Sequence, residues 1–112
     1  METTRQQKVA RQIQKDLSDI FMHMTREITQ NKMITITVVR MSPDLSLAKV
    51  YLSIFPSDKG EELVENITRN AKAIRYELGL RMGQQLRRIP ELAFFLDDSI
   101  DYLENIDNLL KN

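Results

Sequence analysis

Residues 33–55 read MITITVVRMSPDLSLAKVYLSIF. Ile34, Ile36 and Val38 alternate with Thr35, Thr37 and Val39, and this period of two places the first set on one face of an extended strand. Ala48, Val50, Leu52 and Ile54 repeat the alternation against Lys49, Tyr51, Ser53 and Phe55. Between the two runs, Pro43 fixes its own φ and the Asp44 carboxylate can accept from the backbone just beyond it, with Ser42 beside them. The stretch predicts an antiparallel hairpin with one apolar and one polar face. A two-stranded ribbon is marginal in water, so helices elsewhere in the chain must cover the apolar side.

Helical periodicity flanks the hairpin. Over residues 4–28, Val9, Ile13, Leu17, Ile20, Phe21, Met24 and Ile28 fall within one arc at 100° per residue, which predicts a long amphipathic helix. Lys8, Arg11 and Lys15 lie opposite that arc as a basic stripe, and His23, at the arc's edge with no second histidine, receives no role. After the hairpin, residues 56–60 break the pattern, and Ser57 or Asp58 is available to cap a second helix whose first turns carry Glu61, Glu62 and Glu65. Leu63, Val64, Ile67, Ala71, Ile74, Leu78 and Met82 form one continuous arc, so the pattern alone predicts a single unbroken helix with Gly79 and Gly83 at its fraying end. Arg69 and Lys72 point away from that arc and Arg75 lies at its margin.

Arg87-Arg88-Ile89-Pro90 reads as a basic linker, because proline stops a helix and favours an extended residue before it. Glu91–Leu96, ELAFFL, is a short aromatic-rich run bounded by turn residues, hence a third strand, with Phe94 and Phe95 on opposite faces. Asp97, Asp98 and Ser99 then cap a final helix with Ile100, Leu103, Ile106, Leu109 and Leu110 along its apolar side. The order is α-β-β-α-β-α in one domain over residues 1–112. The expected architecture is α+β, a small three-stranded sheet with helices packed on one face.

Composition narrows the function. The 112 residues are 42% hydrophobic and 29% charged, as in an ordinary soluble domain. No cysteine is present, which excludes disulfides, thiolate catalysis and thiolate metal sites. The segment METTRQQKVA has no apolar core of signal-peptide length, and no apolar run approaches the roughly 18 residues of a membrane span. A cytoplasmic protein without a membrane partner is expected. Net charge is zero but polarised: residues 1–40 carry seven basic and four acidic groups, 71–90 five and one, and 91–112 one and six. Local basic patches can still bind phosphate when the total cancels, which makes Lys8, Arg11, Lys15, Arg69, Lys72, Arg75, Arg81, Arg87 and Arg88 candidate phosphate contacts.

Two other function classes compete. A hydrolase could gather Asp97, Asp98 and Asp101 around a divalent cation, but the same residues are what a helix N-terminus prefers. There is no P-loop, nucleophile elbow or histidine–carboxylate metal spacing, so no catalytic residue, metal or cofactor is expected. A protein-interaction module working through a sheet edge or helix face is the second alternative.

Three blocks, RQQKVARQIQKDLSDIF, ITVVRMSPDLSLAKVYLSIF and LRRIPELAFFLDDS, resemble in order and spacing the ribosome-binding factor A family. The resemblance covers nearly the whole chain. It implies a type II KH-like fold with a broken second helix, α-β-β-α-(kink/α)-β-α, in which relatives carry an Ala-x-Gly kink. The matching positions are Ala71, Lys72 and Ala73, so alanine replaces the glycine, and the chain is neutral where relatives are often basic. It further implies a monomer that binds the immature small (30S) ribosomal subunit and 16S rRNA, with the nine cations named above as the RNA contacts and ribosomal proteins nearby. Late maturation, 16S 5′-end processing, a role in cold growth and departure before subunit joining are implied in the same way.

Overall fold

The structure is a computed structural model that describes residues 3–24 and 26–97. Helix α1 (Thr4–His23) opens on a capping box: the Thr3 hydroxyl accepts from the Gln6 N–H at 3.1 Å and the Gln6 side chain accepts from the Thr3 N–H at 2.7 Å. The same Gln6 donates its amide to the Met41 carbonyl at 3.1 Å, so the cap also fixes α1 to the sheet. The expected helix over 4–28 is two helices. Met24 turns extended at φ −70°, ψ 151°, and a short α2 (Arg26–Thr29) follows. Tertiary bonds favour the break, because Asn66 donates to the Ile28 carbonyl at 3.0 Å and so ties α2 to the next helical layer. Gln30 and Asn31, with φ of 56° and 61°, then reverse the chain into the sheet.

Strands β1 (Met33–Met41) and β2 (Leu47–Phe55) form the predicted antiparallel hairpin, and β3 (Glu91–Leu96) pairs parallel to β2 in the order β1-β2-β3. The sheet is therefore mixed, with β2 central and β3 at an edge. One expectation for β1 fails. Ile36 pairs with Leu52 and Val38 with Tyr51, so Thr37 is an extra residue in a β-bulge. One inserted residue flips every side chain beyond it, which sends Val39 and Met41 into the core and leaves Val38 37% exposed on the open face. Gln14 of α1 donates to the Ile36 carbonyl beside the bulge at 2.8 Å, giving that carbonyl a partner from the helix.

The next helical run is also divided, into α3 (Gly60–Arg69) and α4 (Ala71–Met82). Neither Ser57 nor Asp58 caps α3. The N-cap is Lys59 in the left-handed region at φ 59°, with no side-chain cap bond. The break falls at Asn70, with φ −97° and ψ 9°, rather than within the continuous arc the pattern predicts. Those angles lie in the bridge region open to any L-residue, so no glycine is needed. Asn70 supplies local alternatives to helical bonding: its amide donates to the Asn66 carbonyl at 2.8 Å and its N–H to the Ile67 carbonyl at 3.0 Å. Helix α4 then holds through Gly79 to Met82.

The core lies between the sheet and the helices. Val50, Leu52, Ile54 and Phe94 pack against Ile13, Leu17 and Phe21 of α1, and Leu63, Ile67, Leu78 and Met82 complete the cluster. Phe21 and Phe94 meet edge to face with centroids 6.1 Å apart. As expected, the two adjacent phenylalanines part: Phe94 is 6% exposed and Phe95 41%. The expected final helix, with Asp98 and Asp101, lies outside the described residues. Asp97 is described, and its carboxylate accepts from the Thr37 hydroxyl at the bulge.

Candidate nucleic-acid interface

The loop between β1 and β2 is built by side chains from its own sequence. The Ser42 hydroxyl donates to Asp44 Oδ1 at 2.8 Å and accepts from the N–H groups of Ser46 and Leu47 at 3.1 and 3.0 Å. Asp44 Oδ1 also accepts from the Ser46 hydroxyl at 2.7 Å and the Ser46 N–H at 3.1 Å, which is the backbone bond its position predicts. The Ser46 hydroxyl first, then the Ser42 hydroxyl and the Ser46 N–H, favour the charged carboxylate and hold its pKa down at about 2. Leu45 takes the left-handed conformation at φ 61° that closes the turn.

This stiff loop forms one wall of a polar cleft of about 530 Å³. The opposite wall comes from the connection after α4, with Gln84, Gln85, Arg87 and Arg88, and Arg5 of α1 closes the end. Lys8 lies one turn further along α1, beside Gln85 and Leu86. The structure thus brings Arg87 and Arg88 together with Arg5, and Lys8 lines an adjoining hollow that shares Arg5 with the cleft. Arg5 is a residue that sequence reasoning missed, although its place one turn before Lys8 put it in reach of the same stripe. Arg11 and Lys15 continue the exposed face of α1 away from the cleft. None of Arg5, Lys8, Arg87 and Arg88 has a carboxylate ion-pair partner among the described residues.

The remaining candidates are dispersed and partly engaged. Arg75 donates Nη2 to the Ile89 carbonyl at 2.7 Å and Nε to the Pro90 carbonyl at 3.1 Å, which latches α4 to the start of β3. Arg81 pairs with Asp19 at 2.6 Å across the α1–α4 contact, and Arg69 pairs with Glu65 at 3.8 Å one turn back on α3. Lys72 is exposed at the mouth of a second, more apolar groove of about 710 Å³ between α4 and the edge strand β3. Ala71, Tyr76, Gly79 and Leu80 line one side of this groove, and Ile89, Glu91 and Leu92 line the other. Tyr76 and Leu80, 67% and 66% exposed, were also missed. Their signal was present in the sequence: two large apolar residues four apart on a helix but off its core arc.

A helix pair broken at a turn, packed with a mixed sheet whose parallel edge strand flanks a groove, defines a KH-like α+β fold. The chain belongs to the ribosome-binding factor A family, whose sequence model it matches over residues 5–110. Ribosome-binding factor A of Flavobacterium johnsoniae is 49% identical over 111 residues, covering 98% of this chain and 85% of that protein. The crystal structure of ribosome-binding factor A from Thermus thermophilus superposes with a TM-score of 0.69 at 22% identity, covering 81% of this chain and 93% of that one. A Thermus thermophilus ribosome-binding factor A model fitted into a cryo-EM map of its complex with the 30S subunit gives a TM-score of 0.63 at 23% identity, covering 79% and 90%. The family takes its name from binding the ribosome rather than from a reaction.

Proposed function

We propose that this chain is a non-catalytic, cytoplasmic assembly factor that binds the immature small (30S) ribosomal subunit through 16S rRNA as a single-domain monomer. The carrying observation is the convergence of Arg5, Arg87 and Arg88 on one polar cleft, with Lys8 in the adjoining hollow, none of them with a carboxylate ion-pair partner among the described residues. Phosphate contacts of this kind supply affinity and fix orientation while carrying little sequence information. Arg11 and Lys15 extend the basic surface along α1, and Lys72 adds a cation at the α4–β3 groove. KH folds hold single-stranded RNA between a helical turn and a strand edge, and this groove, opening beside the Ala71-Lys72-Ala73 segment, matches that placement. Arg69, Arg75 and Arg81 reach RNA only by exchanging their present partners, which makes them the weakest contributors of the nine. Family membership, and the 30S complex of the Thermus thermophilus relative, support the small subunit as the target.

Support for late maturation and 16S 5′-end processing, with greatest need in the cold, belongs to the same reading, as does contact with neighbouring ribosomal proteins. The site is tested by reversing charge at Arg87 and Arg88 together and measuring binding to purified small subunits at low salt. Both side chains are exposed, so thermal stability stays at the wild-type value while binding falls at least tenfold. Wild-type binding by the double variant would remove the cleft from the interface. Binding that is strong but indifferent to salt would favour the protein-interaction reading instead.

A further inference from the structure

Among the described residues, the helices cover one face of the sheet and none covers the other, which has an ordered arrangement of its own. Val38, Tyr51 and Phe95 form one row across the three strands, and Arg40, Lys49 and Ala93 form the next. The rings of Tyr51 and Phe95 stack at 5.3 Å between centroids and 27° between planes. Phe95 is 41% and Val38 37% exposed, and Arg40 and Lys49 are both exposed with no carboxylate ion-pair partner among the described residues. Two residues along a strand is roughly 6.6 Å, so both cations reach over the aromatic row. The bulge at Thr37 creates this arrangement, since without it Val39 would face outward and Arg40 inward.

We propose that this face is a platform for single-stranded nucleic acid, separate from the Arg87–Arg88 cleft and from the α4–β3 groove; this rests on the RNA-binding reading above. Bases stack on the Tyr51–Phe95 pair, and Arg40 and Lys49 take the phosphates of the same strand. Aromatic rings standing out from a sheet beside cations are how several RNA-binding folds hold unstacked bases with little preference among them. A purely apolar protein partner would have to desolvate Arg40 and Lys49 without compensation, whereas a polyanion supplies their counter-charge. The rival occupant is the chain's own residues 98–112, which carry Asp98, Asp101, Glu104 and Asp107 among apolar positions.

The test uses the full chain with a labelled octauridine and with a blunt RNA duplex, read by fluorescence anisotropy. Phe95→Leu keeps apolar bulk and removes the ring. It is expected to weaken octauridine binding about tenfold, to leave the duplex unaffected and, by loss of the Tyr51 stack, to lower thermal stability slightly while the chain stays folded at the assay temperature. Arg40→Glu with Lys49→Glu is expected to flatten the salt dependence of octauridine binding by about two phosphate contacts. Wild-type affinity of Phe95→Leu for octauridine would overturn the platform. So would nuclear Overhauser contacts, in the RNA-free chain, between the Phe95 ring and the methyls of Ile100 or Leu103, which would assign the face to residues 98–112. Sedimentation of the Arg87→Glu/Arg88→Glu variant with small subunits keeps the two readings apart. If that variant loses subunits while Phe95→Leu is silent, only the platform falls; if wild type never binds subunits while Phe95→Leu still costs octauridine affinity, only the ribosomal reading falls.

Discussion

On the helix-covered face of the sheet, Val50 and Leu52 are fully buried and Phe94 nearly so, while on the opposite face Val38 and Phe95 keep more than a third of their surface. Both faces are rich in large apolar side chains, so composition does not separate them. What separates them is the neighbouring polar chemistry. The covered face meets helices whose polar groups are spent on caps and clips, such as Gln6 on Met41 and Gln14 on Ile36. The open face carries Arg40 and Lys49, and the adjoining end of the molecule carries Arg5, Arg87 and Arg88. Burial holds the fold on one side; the other keeps a half-exposed ring stack and cations without carboxylate ion-pair partners among the described residues.

The comparison breaks most severely at the covered face. Leu52→Ala empties a site with no exposed surface on the central strand and is expected to cost about 2–5 kcal/mol, read from urea or thermal unfolding. Charge reversal at Arg87 and Arg88 moves the opposite way: stability is retained, subunit affinity drops at least tenfold, and the slope of log affinity against log salt falls by about two. Gln14→Ala leaves the Ile36 carbonyl beside the bulge without its helix donor and is expected to cost about 1 kcal/mol, with amide shifts centred on Thr37 and Val38. The smallest effect is that of Asp44. Its folded pKa is depressed to about 2, so its contribution is fully present above the ordinary aspartate value near ~3.9 and is lost as pH falls through about 2. A carboxyl-carbon NMR titration should show Asp44 titrating near 2, and Ser46→Ala, which removes the leading hydroxyl donor, should move it upward.

The hairpin, the third strand and the inward set on β2 were legible because an alternation of two is unambiguous when one face is dry. The bulge was not. Ile36-Thr37-Val38-Val39 fits either phase of the alternation, and only the pairing partners Leu52 and Tyr51 reveal the extra residue. The division at Asn70 was hidden for a related reason: the apolar arc continues through it, because α3 and α4 both face the same core. The family resemblance implied a kink at Ala71-Lys72-Ala73; the break falls just before it, at Asn70, with those three residues opening α4, and glycine proved unnecessary because the backbone stays at negative φ. The break at Met24 depends on Asn66, far along the chain, which no local pattern reports.

For the candidate site, Lys8, Arg87 and Arg88 were readable as charge but not as parts of one region, since only the fold brings the α1 start beside the connection after α4. Arg75 and Arg81 read as candidate contacts because a sequence does not show the Pro90 carbonyl or Asp19 approaching them. Tyr51 was readable as part of the polar set of β2, and Phe94 and Phe95 as a pair on opposite faces, but only the structure shows that Phe95 is the outward one. The stacking of Tyr51 on Phe95 depends on the parallel register of β2 and β3, which the sequence leaves open.

The most direct measurement is co-sedimentation of the full chain with free small subunits and with associated ribosomes, at low and at moderate salt. Pelleting with free small subunits alone, steeply weakened as salt rises, is the expected result. Failure to pellet with free subunits at low salt, or pelleting that salt does not weaken, would contradict an rRNA-bound assembly factor.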